Sequence, residues 1–113
     1  MKSTEIWHGS TPLTTVAVAD NYFLRLRGLI GRSARSIGGL LICPCNQVHT
    51  CFMGEAIDIV YLDRAGKVMR IDAEIPAWKM LKAERGARKV LELPAGKAAE
   101  LGLVKGMLLC FGK

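Results

Sequence analysis

AIDIVYLDRAGKVMRIDAEI, residues 56–75, contains the clearest β-hairpin of the chain. Two runs rich in β-branched and aromatic residues flank residues 63–66 (DRAG). An Asp and a Gly within such a short loop are typical of a hairpin turn. Pro76 follows directly and prevents the second strand from continuing inside a sheet. The stretch therefore predicts two antiparallel strands joined by a tight turn.

Further short strands and two short helices are predicted on both sides of this hairpin. The apolar face repeated through residues 20–31 indicates one helix, and the alanines of residues 95–102, ended by Gly102, indicate the other. Five more runs have the length and composition of strands, namely residues 14–20, 39–43, 47–53, 88–94 and 107–111.

About seven short strands without long crossover helices favour a mainly β fold. We expect a compact antiparallel β-sandwich or squat barrel, with the two short helices packed on it. The 113 residues form one domain, residues 1–113, which is long enough to bury a single core.

The composition is that of a folded protein with a moderate basic excess, a formal net charge of +6. We interpret the basic residues as solvated surface, and binding to nucleic acid as unlikely, because aromatic residues make up only 6% of the chain. They concentrate in two zones, Arg25, Arg27, Arg32 and Arg35 in the first, and Lys79, Lys82, Arg85, Arg88 and Lys89 in the second.

The expected location is cytoplasmic. The N-terminal residues MKSTEIWHGSTPL have no apolar segment typical of a signal peptide. No run approaches the roughly 18 apolar residues that a membrane span needs, so we expect no membrane partner. In a reducing cytosol the four cysteines are expected as thiols or metal thiolates rather than disulfides.

Residues 43–58, CPCNQVHTCFMGEAID, concentrate residue types that bind metals or act as nucleophiles. If residues near Gln47 form a loop, four side chains share one face, a Cys3His set that could bind zinc: Cys43, Cys45, His49 and Cys51. Structural zinc sites commonly use two C-x2-C pairs, which the chain lacks, and cysteine often serves as buried apolar filler. We therefore expect no metal and no cofactor.

A thiol-dependent enzyme is a second interpretation of the same stretch. It requires a cysteine activated by an imidazole, which a third polar group orients. Cys45 or Cys51 would be the nucleophile, His49 the base and Asp58 the orienting group.

Asp58 lies within the apolar run AIDIVYL, where an unpaired carboxylate would cost several kcal/mol to bury. We expect a partner such as His49 or an arginine of the first helix, or else a structural ion pair or a capping role. Glu92 within VLELP presents the same problem in weaker form.

The order of several segments resembles a family of small bacterial and archaeal proteins, the domain of unknown function 192. They are RLRGLIGR at 25–32, PCNQVHTCFMGEAIDIVYLD at 44–63, GKV at 66–68, PAW at 76–78, VLELPAG at 90–96 and LGLVKGMLL at 101–109. The resemblance covers about residues 15–111 and implies a compact β-sandwich with short helices, but it supplies no activity. Cys43 and Cys51 depart from the family pattern, and Met107 stands where the family has an acidic residue.

Some of the family-like positions have no simple backbone explanation, and we predict that several of them meet in space as ligand-binding residues. They are Arg27, His49, Thr50, Asp58 and Glu92. The predicted function is a non-enzymatic binding or accessory domain, with a polar patch around His49, Asp58 and Arg27 that serves a small ligand, a protein partner or fold integrity. The alternatives are a hydrolase-like enzyme using Cys45, His49 and Asp58, and a weak binder of anionic polymers.

Overall fold

Seven strands form one mixed sheet in the computed structural model, which describes residues 2–19, 38–47 and 55–112. The sheet order is β5-β4-β6-β3-β2-β1-β7, and of these neighbours only β2 and β3 run parallel. The elements are β1 (Ser3–His8), β2 (Thr11–Ala19), β3 (Leu40–Ile42), β4 (Ile57–Leu62), β5 (Val68–Ile75), β6 (Lys89–Pro94), α1 (Lys97–Glu100) and β7 (Cys110–Phe111).

The predicted hairpin is confirmed as β4 and β5. Asp63 stabilises its turn, because Oδ1 accepts hydrogen bonds from the backbone N–H groups of Ala65 and Lys67, both at 2.9 Å. These bonds hold the pKa of the Asp63 carboxyl below its usual range. Gly66 has φ +95°, a backbone conformation that side chains with a Cβ rarely adopt.

The mainly β prediction is confirmed, with two differences in detail. Strand β1 is not predicted, because its sequence STEIWH contains no continuous apolar run. Ile6 is its one buried residue. In the described part of the chain there is one short helix, α1, instead of two. The other predicted helix, residues 20–31, lies outside that part, as does nearly all of the predicted strand at residues 47–53.

Two apolar clusters cover the two faces of the central strands. We call the face with the first cluster the α1 face and the face with the second cluster the Tyr61 face. The α1 face includes Val60, Leu62, Leu91, Leu93, Ala98 and Leu103. The Tyr61 face includes Leu40, Ile42, Ile57, Ile59, Tyr61 and Val90. Because β4 is buried on both sides, its sequence is apolar at nearly every position instead of alternating.

The two ends of the sheet meet at one point, although the sheet is not closed into a barrel. The N–H of Val68 donates to the carbonyl of Met107 at 2.8 Å, and the N–H of Leu109 donates to the carbonyl of Gly66 at 2.9 Å. This contact places Leu109 in the cluster on the α1 face.

In the parts of the chain that the structure describes, no helix has the length and apolar character that crossing a bilayer requires.

Candidate functional site

Asp58 is fully buried, with 0% exposure, and both of its carboxylate oxygens accept hydrogen bonds from backbone amides. Oδ1 accepts from the N–H of Glu74 at 2.8 Å, and Oδ2 accepts from the N–H of Ala98 at 2.9 Å. The predicted capping role is therefore present. The predicted partners His49 and Arg27 lie outside the described residues.

Both amides lie where regular backbone hydrogen bonding is interrupted, so each N–H group needs another acceptor. Glu74 has φ +52° and lies where the pairing of β5 with β4 is irregular, between the partners of Ile57 and Ile59. Ala98 lies in the first turn of α1, whose N–H groups have no partner within the helix, and Gly96 at the N-cap provides no side-chain bond. Asp58 therefore joins β4 to both β5 and α1.

Glu92 is the second buried carboxyl, at 2% exposure in the middle of β6. Its neighbours across the sheet are Leu40 of β3 and Ile59 of β4, which belong to the Tyr61 face. Within the described residues its Oε1 has no hydrogen-bond partner. Burial among apolar groups raises the pKa of Glu92 to about 8, so the carboxyl is mostly protonated at neutral pH.

Asp58 and Glu92 lie on opposite faces of the sheet. In the antiparallel pair of β4 and β6, Asp58 is opposite Leu93 and Ile59 is opposite Glu92. Residues opposite each other share a face, so Asp58 is on the α1 face and Glu92 on the Tyr61 face. The predicted set is thus divided between the two sides, and its other members Arg27, His49 and Thr50 fall outside the described residues.

A charged cluster that the sequence did not indicate lies on the Tyr61 face. The Arg70 guanidinium donates to the Asp72 carboxylate at 2.6 Å and to the Tyr61 hydroxyl at 3.0 Å. It also donates to Glu84 at 3.3 Å and to the carbonyl of Lys82 at 2.9 Å. The hairpin is the sequence feature that could have indicated this cluster, because its register places Tyr61 opposite Arg70.

In this cluster the one cation, Arg70, is paired with two carboxylates, Asp72 and Glu84. Burial raises the pKa of the Tyr61 hydroxyl above its usual value, although the neighbouring Arg70 opposes the shift. The hydrogen bond to Asp72 raises the pKa of Arg70. Tyr61 is therefore a neutral hydroxyl and Arg70 a permanent cation, which suits holding residues 82–84 against β5 better than transferring protons.

Cys43 and Cys45 lie half-buried in the turn after β3. The Cys45 thiol donates to the carbonyl of Gln47 at 3.2 Å, and Cys45 packs against the cluster on the Tyr61 face. Within the described ranges no three His, Cys, Asp or Glu side chains form a metal-binding group. His49 and Cys51 lie outside these ranges, so the structure does not test the four-ligand zinc alternative.

Comparison with curated proteins finds relatives in archaea. A UPF0127 protein of Pyrococcus furiosus is 30% identical over 96 residues, which are 80% of this chain and 81% of that protein. A UPF0127 protein of Thermococcus sibiricus is 28% identical over 97 residues, or 81% of this chain. The chain spans 59% of the length of the Thermococcus sibiricus relative.

Two solved structures share the fold. A protein of unknown function from Novosphingobium aromaticivorans superposes with a TM-score of 0.77 at 21% identity, covering 96% of this chain and 83% of its own. A protein of Sinorhizobium meliloti described as a candidate transcription regulator superposes with a TM-score of 0.77 at 22% identity. The match covers 96% of this chain and 92% of that protein. Identities this low support the fold alone.

The family model of the domain of unknown function 192, described as an uncharacterized ACR, matches residues 5–111. This match covers almost the whole chain and includes strands β4 and β6, which carry Asp58 and Glu92. The chain therefore belongs to the domain of unknown function 192 family.

Proposed function

We propose that this chain is a small, non-enzymatic binding domain whose ligand contacts lie on the Tyr61 face around Glu92. One observation carries the proposal: a carboxyl buried on the interior strand β6 whose Oε1 has no partner in the described residues. A buried polar atom left without a hydrogen bond costs about 1–3 kcal/mol. A leucine would fill the same position without this cost, so the carboxyl is best explained by a polar group that it binds.

Arg27, His49 and Thr50 are proposed as further ligand contacts. Each offers a donor or acceptor that a small polar ligand could use beside Glu92. The proposed role of Asp58 differs from that of Glu92. Because both of its oxygens already accept backbone hydrogen bonds, Asp58 maintains the scaffold.

The geometry of the described residues favours binding over thiol catalysis. Cys45 packs against the Tyr61 face, whereas the Asp58 carboxylate bonds to amides on the α1 face. Asp58 is therefore badly placed to orient a histidine beside Cys45. Labelling with iodoacetamide should follow exposure, with the exposed Cys110 reacting before Cys45. Faster labelling of Cys45 than of Cys110 would favour the enzyme interpretation instead.

A fragment screen by NMR tests the binding proposal. We would titrate methyl-labelled protein with small alcohols, amides and amines and follow the methyl groups of Leu40, Ile59 and Val90. The proposal expects at least one class to shift these three signals in the wild type and not in Glu92→Leu. The exposed Glu100→Gln is the matched control and should retain the shifts. Fragments that shift the same methyls equally in Glu92→Leu would refute a role for Glu92.

A further inference from the structure

Two large apolar side chains are exposed two residues apart on the segment between β5 and β6, residues 76–88. Trp78 is 63% exposed and Met80 is 72% exposed. Single exposed apolar residues are ordinary, but neighbouring ones framed by polar groups often mark an interaction site. Trp78 also has φ +67°, a conformation that costs roughly 1–3 kcal/mol for a residue with a side chain.

The same segment is strongly basic. Its exposed cations are Lys79, Lys82, Arg85 and Arg88. Its one carboxylate, Glu84, is already bonded to Arg70 at 3.3 Å. With four cations against one carboxylate, the segment has a positive net charge, which attracts acidic partners.

Hydrogen bonds to the rest of the protein fix the backbone of this segment. The carbonyl of Leu81 accepts a hydrogen bond from the Gln47 amide at 2.8 Å, and the N–H of Glu84 donates to the carbonyl of Asn46 at 2.9 Å. Arg70 adds its bond to the carbonyl of Lys82 at 2.9 Å. A surface fixed in this way loses little conformational entropy when a partner binds.

We infer that Trp78, Met80 and their surrounding cations form a docking surface for an acidic peptide segment that also carries a large apolar side chain. Trp, Met and Arg are enriched at protein–protein interfaces, and Trp and Arg are frequent hot spots. A nucleic-acid strand would favour several stacking aromatics, whereas Trp78 is the one aromatic among the large apolar side chains exposed in the described ranges. The inner side of the segment packs on the Tyr61 face through Leu81 and Ala87, whereas the docking surface is formed by its exposed side chains.

Selection from a random library of 15-residue peptides displayed on phage, with the full chain as bait, tests the inference. Selected peptides should carry more Asp and Glu than Lys and Arg, together with an aromatic or aliphatic residue. Their affinity should fall by roughly tenfold or more in Trp78→Ala and in Lys79→Glu. Arg64→Glu, the same charge change in the β4–β5 turn, should have a much smaller effect and serves as the matched control.

Three outcomes would overturn the inference. One is selection of peptides without acidic enrichment, and another is affinity that Trp78→Ala and Lys79→Glu leave unchanged. The third is tighter binding, through Trp78, of phosphatidylserine vesicles or of oligothymidylate than of the selected peptides, which would assign the surface to a membrane or to nucleic acid. Trp78 and Lys79 are both exposed, so both variants should fold, and circular dichroism verifies this.

Discussion

The carboxylate of Asp58 accepts a hydrogen bond from the backbone N–H of Ala98, 40 residues further along the chain, at 2.9 Å. The other oxygen of the same side chain accepts from Glu74 at 2.8 Å. A single buried side chain therefore fixes both β5 and α1 relative to β4. Ala98 itself is buried in the cluster on the α1 face.

Replacing Asp58 should destabilise the fold strongly. Asp58→Ala leaves two N–H groups without acceptors, and each unpaired buried group costs about 1–3 kcal/mol. We expect the free energy of unfolding to fall by roughly 2–5 kcal/mol, and by less in Asp58→Asn, which keeps one acceptor oxygen. Urea denaturation at pH 7 measures the difference.

Asp63 provides the matched control for this prediction. It also accepts two backbone hydrogen bonds, but at the exposed β4–β5 turn, where water can replace the lost acceptor. Asp63→Ala should therefore cost much less than Asp58→Ala. Equal losses in the two variants would contradict the importance that we assign to burial.

Glu92 should make the stability of the protein depend on pH. Its pKa in the folded state is about 8, above its ordinary value of 4.5. Between these pH values the unfolded chain has released the proton that the folded chain still holds. The free energy of unfolding should therefore fall as the pH rises from 4.5 to 8. The slope contributed by this group is at most about 1.4 kcal/mol per pH unit.

Glu92→Gln removes this contribution, because a glutamine does not titrate. We expect its unfolding free energy to change less between pH 5 and pH 8 than that of the wild type, by roughly 1.4 kcal/mol per pH unit or less. Glu100→Gln, at an exposed carboxylate in α1, should leave the wild-type slope intact. Parallel pH profiles for Glu92→Gln and the wild type would show that Glu92 is already ionised in the folded protein.

The strands could be predicted where local sequence signals alone specify them. In residues 56–75 the turn chemistry and the composition of the flanking runs both specify a hairpin. β1 could not be found in this way, because it is stabilised by pairing with β2 and with β7 at the other end of the chain. The parallel direction of β2 and β3 is also a long-range property that side-chain patterns do not encode.

The site could be predicted only in part, for a similar reason. The cost of burying a carboxylate predicts that Asp58 has a partner, but the actual partners depend on the irregularity at Glu74 and on the placement of α1. The opposite orientations of Asp58 and Glu92 follow from the register of β4 and β6. A shift of one residue would place both carboxyls on the same face, and the sequence alone does not determine that register.

Arg70 should hold residues 82–84 in place against β5. Arg70→Ala removes the bonds to the Lys82 carbonyl and to Glu84, together with the contact to Tyr61. We expect a loss of about 1–3 kcal/mol in stability and faster hydrogen exchange across residues 82–88. Arg85→Ala, an exposed arginine of the same segment, should leave exchange there unchanged. Unaltered exchange in Arg70→Ala would show that the other contacts suffice.

Of the glycines in the described ranges, Gly66 should be the one at which a Cβ is least tolerated. An added Cβ would collide with the carbonyl oxygen of Leu109, at the point where the two ends of the sheet meet. Gly106 has almost the same φ, +94° against +95°, but nothing lies within 4 Å of the position its Cβ would take. Both Ala variants adopt the same unfavourable backbone angle, so the difference between them measures the collision alone. Gly66→Ala should lose roughly 1–3 kcal/mol more than Gly106→Ala in urea denaturation. Similar losses would mean that the contact between Gly66 and Leu109 relaxes easily and contributes little to joining the ends of the sheet.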